Sequence, residues 1–198
     1  MMNARRLLKQ HRQAGTGTTT KEIRISGSGG QGVVMAGIIL AEAAGIFEDK
    51  YVIHVQDYGG AMRGGAVRSE VIISDEEDDI EYPAVSDADI LIAMTQEAAN
   101  KWTASVKKGG IVLYDSIYVI KPPSSTAKIY EVPLTRIAQE KLGTPMGANI
   151  IALGVICALT GVVSPDALTQ AVVKRVPKET EELNRKALQA GFELGSGM

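Results

Sequence analysis

The chain has 198 residues, with 21 basic and 23 acidic side chains and a net charge of −2. That length suits one core with an extension, and a charge so near zero excludes a strongly basic nucleic-acid binder. An aromatic content of 5% argues against a stacking surface for single strands. The single cysteine, Cys157, excludes an internal disulfide and any iron–sulfur cluster or thiolate zinc site made by this chain alone.

Residues 1–20 stand apart as a flexible basic N-terminal extension. They carry Arg5, Arg6, Lys9 and Arg12 with no acid, then pass into AGTGTTT. They read as a short frayed helix or start-site extension rather than a partner-binding arm. The opening MMNARRLLKQHRQ lacks the apolar stretch of about 7–15 residues that marks a signal peptide. His11 falls in this tail, which sets aside a catalytic triad built on the two histidines. Residues 21–198 form the remaining domain.

KEIRISG predicts a strand, with Ile23 and Ile25 alternating with polar neighbours. Gly27-Ser28-Gly29-Gly30-Gln31-Gly32 then fits G-x-G-x-x-G between this strand and the apolar helix VVMAGIILAEAAGIF. Glycines there permit a sharp turn and close backbone approach, and the helix start favours anions. YVIHVQ and VRSEVIIS are strands two and three, joined by DYGGAMRGGA. Asp57 stands 25 residues beyond Gly32, about where a dinucleotide fold places its ribose-binding acid. Around Arg63, the residues Tyr58, Gly59, Gly60, Gly64 and Gly65 form a second glycine-rich element. Two readings of it stay open: a hairpin with Arg63 in water, or a guanidinium aimed at a phosphate or carboxylate.

The acidic run Asp75–Glu81 reads as a solvated loop. DADILIAM is a fourth strand, TQEAANKWTASV a helix packed through Trp102, KKGGIVLYDS a fifth strand and AKIYEVPL a sixth. Helices follow over TRIAQEKLG, within 147–161, at 165–175 and at 178–192. The uncharged run from Gly143 to Pro165 is interrupted by Gly143, Pro145, Gly147 and Asn149, leaving about 14 apolar residues, the length of a buried core helix rather than a membrane span. His54 reads as a core or edge histidine and Cys157 as a small core residue. The fold class is α/β: a doubly wound, largely parallel sheet with helices on both faces, Rossmann-like, with added C-terminal helices. A cytoplasmic protein without membrane or nucleic-acid partners is expected.

GSGGQGVVMAGIILAEAA, QDYGGAMRGGAVRSEVIIS, DADILIAM and GGIVLYDS, followed by GANIIALGVICALTG and NRKALQAGFELG, resemble the gamma subunit of 2-oxoacid:ferredoxin oxidoreductases from about Lys21 to about Leu194. This family includes the pyruvate, 2-oxoglutarate and branched-chain 2-ketoacid enzymes. Gly60-Ala61 departs from the family, which often has proline or an acidic residue there. The resemblance implies CoA-dependent oxidative decarboxylation of a 2-oxoacid to an acyl-CoA, with 2-oxoglutarate or a branched-chain acid favoured. It implies thiamine diphosphate, Mg2+ and [4Fe-4S] clusters in partner subunits, coenzyme A as co-substrate and ferredoxin as electron acceptor. The implied partners are alpha and beta subunits, with a ferredoxin-like delta subunit in some complexes. No cofactor, metal or catalytic residue is expected of this chain alone. Gly27, Ser28, Gly29, Gly30, Gln31, Gly32, Tyr58, Gly59, Arg63, Gly64 and Gly65 are the expected cofactor-binding or subunit-interface residues. The alternatives are a stand-alone Rossmann-type nucleotide-binding module and the related subunit of indolepyruvate oxidoreductase.

Overall fold

The computed structural model describes residues 20–59, 66–80 and 82–198, so most of the basic extension lies outside the described residues. In chain order the elements are β1 (Lys21–Ser28), α1 (Val33–Phe47), β2 (Tyr51–Tyr58), β3 (Ala66–Ser74), β4 (Ala88–Ala93), α2 (Gln96–Trp102), β5 (Val106–Asp115), β6 (Lys128–Val132), α3 (Leu134–Leu142), α4 (Ala148–Thr160), α5 (Pro165–Arg175) and α6 (Glu181–Ser196). Six strands form one sheet in the order β2-β3-β1-β4-β5-β6.

From β1 outward through β4, β5 and β6 the pairing is parallel, and β3 alone runs against the others, between β1 and β2. The short link from Tyr58 to Ala66 dictates this. A parallel neighbour needs a crossover of about a dozen residues or more, so β2 and β3 close as an antiparallel hairpin. The sheet is mostly parallel, as its apolar strands imply, but β2 lies at the far edge and not beside β1.

One face of the sheet holds the larger core. Ile23, Ile25, Val71, Ile92 and Leu113 project into it against α1, α3, α4, α5 and α6. The other face is thinner: Leu91, Ala93, Val112 and Tyr114 pack on α2 and half-buried Trp102. α4 is buried from Ala148 to Cys157, as an apolar helix without a polar face must be. Among the described residues no helix is long and apolar enough to cross a membrane. The acidic run forms an exposed 3₁₀ turn at Glu77–Asp79, and Glu81 lies outside the described residues.

His54 and Cys157 both have structural partners. His54 Nε2 lies 2.8 Å from Ser69 Oγ, and burial lowers its pKa. Cys157 is 3% exposed, and its Sγ donates to Val163 O at 3.1 Å. Burial, reinforced by the charge of Glu48, pushes the thiol up to about 11. Because the folded chain holds this proton more tightly than the unfolded one, stability is expected to fall by about 2–3 kcal/mol as pH rises from 9 to 11. Denaturant melts across that range check the slope. In the same protein at pH 8, thiol labelling should require unfolding.

Candidate functional site

The carboxyl ends of the strands carry the glycine turn. β1 ends at Ser28, and the chain reverses through Gly30 (φ 93°) and Gly32 (φ 72°), conformations that favour glycine. Gln31 braces the turn from within. Its Oε1 accepts from Ser28 N at 2.8 Å and Ser28 Oγ at 3.2 Å, while its Nε2 donates to Met94 O at 3.0 Å. The side chain thereby ties the turn to the end of β4. Gly32 caps α1 with no side-chain bond to the first helical turn, and its carbonyl accepts from Ala36 N and Asn149 Nδ2.

Register places Tyr58 and Gly59, the start of the second glycine element, on the same edge. Ser28 pairs with Ala66, Tyr58 pairs with Val67, and Gly59 N donates to Ala66 O at 2.8 Å. Gly27–Gly32 and Tyr58–Gly59 therefore sit at one end of the sheet, although β3 separates their strands. Tyr58 is 63% exposed. Arg63, Gly64 and Gly65 lie outside the described residues, as do Gly60, Ala61 and Met62.

Asp57 occupies a different place from that of a ribose-binding acid. It lies within edge strand β2, two inter-strand spacings or about 10 Å from β1. Its carboxylate meets Arg68 Nη2 at 3.3 Å. The hairpin inserted between β1 and β2 causes this: sequence spacing after the glycine turn fits a dinucleotide fold, but the strand order does not.

Tertiary structure adds residues that sequence reasoning passed over. A cleft of about 160 Å³ opens beside the turn, lined in part by Gly30, Gln31, Met94, Tyr118, Thr135 and Met146. Asp115, fully buried at the end of β5, accepts from Thr135 Oγ1, Thr135 N and Ile117 N, which secures the start of α3 and the loop after β5. Burial raises the pKa of Asp115, while these hydrogen bonds oppose the shift. Asn149 Oδ1 is buried and has no hydrogen-bond partner among the described residues. A carboxylate ending an apolar strand and one amide inside an apolar helix were the signals available in the sequence.

Among the described residues no cluster of three or more His, Cys, Asp or Glu side chains forms a metal site. One cysteine likewise does not fit the ligand set of a [4Fe-4S] cluster. The arrangement is a glycine-rich sheet edge with a small cleft, of the kind an α/β subunit presents to ligands or to other domains.

Residues 22–194 match the pyruvate ferredoxin/flavodoxin oxidoreductase family. The chain is 44% identical to the 2-oxoglutarate synthase subunit KorC of Methanocaldococcus jannaschii over 176 residues, covering 88% of this chain and 93% of that one. It is 34% identical to the ketoisovalerate oxidoreductase subunit VorA of Methanothermobacter thermautotrophicus, covering 86% of this chain but 35% of the relative. The crystal structure of the keto/oxoacid ferredoxin oxidoreductase gamma subunit from Geobacter sulfurreducens superposes with a TM-score of 0.80 at 46% identity, over 90% of this chain and 99% of that one. The chain belongs to the pyruvate ferredoxin/flavodoxin oxidoreductase family.

Proposed function

We propose that this chain is the gamma subunit of a multi-subunit 2-oxoacid:ferredoxin oxidoreductase. The assembled enzyme converts a 2-oxoacid and coenzyme A to an acyl-CoA and carbon dioxide, passing two electrons to ferredoxin. The observation that carries this reading is the match across residues 22–194, with relatives that are themselves subunits of such enzymes. Identities of 38–44% to 2-oxoglutarate synthase subunits, against 34–37% to ketoisovalerate enzyme subunits, favour 2-oxoglutarate as substrate.

Thiamine diphosphate supplies the carbanion chemistry and iron–sulfur clusters the electron path, both in partner subunits. With one cysteine in the sequence, this chain contributes a surface and not a redox centre. The purified chain should be colourless and should not reduce viologen dyes with any 2-oxoacid plus coenzyme A. Adding the alpha and beta chains, and the ferredoxin-like delta chain where the complex has one, should produce turnover. A panel of 2-oxoglutarate, branched-chain acids, pyruvate and indolepyruvate ranks the substrates. Turnover by the lone chain at a rate scaling with its concentration would overturn the accessory role. Tight binding of NAD or FAD to the lone chain in a calorimeter would instead favour a nucleotide-binding module.

Arg63 is the side chain of the second glycine element proposed to meet an anion, either on coenzyme A or on a partner subunit. Its glycine neighbours permit close approach, and a charged hydrogen bond of about 1.5–3 kcal/mol corresponds to roughly 10–100-fold in binding. Arg63→Ala should leave the melting temperature of the isolated chain nearly unchanged and reduce kcat/KM of the complex by a factor in that range. Lost stability with full activity would assign Arg63 a structural role.

A further inference from the structure

β2 is the longer of the two lateral edge strands, and it lacks the usual guards of an edge. Among the described residues only β3 pairs with it, so one side of its backbone meets no strand. Val55, Gln56, Asp57 and Tyr58 are exposed in succession. Edge strands are commonly protected by lysine, proline, a bulge or short length. The opposite edge strand β6 follows that rule, with five residues that include Lys128 and Glu131. β2 has eight residues and no lysine or proline, and its register to β3 runs unbroken from Tyr51 to Tyr58. Most of its residues are Tyr, Val or Ile, which favour extended pairing.

Hydrogen-bond alternation identifies the residues that face outward. Gly59 N donates to Ala66 O at 2.8 Å, so that pair is bonded, and bonded and non-bonded pairs alternate along an antiparallel ladder. Tyr51, Ile53, Val55 and Asp57 thus turn their backbone groups to β3, and Val52, His54, Gln56 and Tyr58 turn theirs to the open side. The outward set is symmetric about Val55. A second β2 running antiparallel about a two-fold axis at Val55 sets Val52 against Tyr58 and His54 against Gln56, so every outward N–H and C=O gains a partner. An axis at His54 strands Tyr58, and an axis at Gln56 strands Val52, because their partners would fall outside β2. In the Val55 register the strand's one carboxylate, Asp57, faces the partner's Ile53 and not its own copy, and Arg68 already holds it at 3.3 Å.

We infer that two copies of this chain pair through β2, antiparallel about a two-fold axis at Val55, joining their six-stranded sheets into one. A second copy is the occupant these residues specify: the open backbone groups are their own complement, Val55 meets Val55, and no charge meets its like. The axis stands perpendicular to the sheet, so the two glycine turns lie at opposite ends of the joined sheet. The pairing goes beyond the reaction proposed above and is read by mass and cross-linking, not by turnover.

The test uses the full chain. Sedimentation equilibrium over a concentration series should give the wild type a mass of twice 21.0 kDa. Across a non-bonded pair Cα atoms lie about 4.5 Å apart, within disulfide reach, so Val55→Cys should form a covalent dimer under mild oxidation. Tyr82→Cys, which alters a residue 68% exposed in the β3–β4 connection, should not. Val55→Lys and Val55→Asp should each raise the dimer Kd at least tenfold, since like charges meet at the axis, and mixing the two variants should restore the dimer. Gln56→Pro removes an outward N–H, which an edge strand tolerates, and should weaken the dimer to a similar extent. Circular dichroism checks that each variant is folded, and if one is not, the others carry the comparison. A monomeric wild type without a Val55→Cys cross-link would overturn the inference. So would a dimer left intact by Val55→Lys and Gln56→Pro, because the contact would then lie elsewhere. Co-expressed alpha and beta chains that bind the wild type but not the cross-linked dimer would also overturn it, because β2 would then face a different subunit.

Discussion

Gly191→Ala is expected to destabilise the chain by about 2 kcal/mol or more, measured by denaturant unfolding. Two effects compete. Alanine gains roughly 1 kcal/mol of helix propensity over glycine, but a Cβ at Gly191 would stand 2.3 Å from Ile151 O and 2.8 Å from Gly154 Cα. Both neighbours are backbone, so no rotamer change relieves the clash and α4 must move away from α6. The facing position is equally tight: a Cβ at Gly154 would lie 2.7 Å from Leu188 O and 2.9 Å from Gly191 Cα. The helices meet here backbone to backbone, so separating them would open the core around buried Leu153 and Leu188. Gly45→Ala, in α1, isolates the propensity effect. Its Cβ would come no closer than 3.4 Å to Val52 Cγ2, the near limit of ordinary contact, and stabilisation by about 0.5–1 kcal/mol is expected. Equal effects of the two substitutions would reject the backbone-contact account.

Arg24→Ala should cost about 3–5 kcal/mol, because it strands a buried carboxylate. Arg24 is 2% exposed and Glu70 3%, and Arg24 Nε meets Glu70 Oε1 at 2.7 Å. The guanidinium also donates to Ser105 Oγ at 2.8 Å and to Val85 O, and it stacks 4.2 Å from the Trp102 ring centroid. Without Arg24, the cation that stays near Glu70 among the described residues is Arg68, whose Nη1 lies 3.6 Å from Oε1. The double variant Arg24→Met with Glu70→Leu should recover much of the loss, since the desolvation cost of both charges disappears together. A double-mutant cycle in calorimetric or denaturant melts gives the coupling. A small penalty for Arg24→Ala would show that water reaches Glu70.

These two sites differ in how legible they were. The strand–glycine turn–helix unit at the start of the domain could be read from residues 21–47, because alternation in β1 and the glycines before α1 act over a few neighbours. The apolar strand runs and the fully apolar α4 were legible for the same reason. Arg24, by contrast, reads in the sequence only as a polar neighbour alternating with Ile23 and Ile25. It is buried because Trp102, 78 positions away in the chain, covers the second face of the sheet.

The sequence alone determined where the strands and helices lie, that the chain has no thiolate cluster of its own, and that its two glycine elements follow strand ends. Local backbone preference and hydrophobic periodicity are sufficient for each of these. Only the tertiary structure decided the strand order. A seven-residue link between β2 and β3 forced a hairpin into the place a second parallel strand would have taken, carrying Asp57 away from the glycine turn. It likewise brought Tyr118, Met146 and Gly30 around one cleft and set Gly154 against Gly191. Such juxtapositions depend on how separate elements pack, and no short window of sequence contains both sides of a contact.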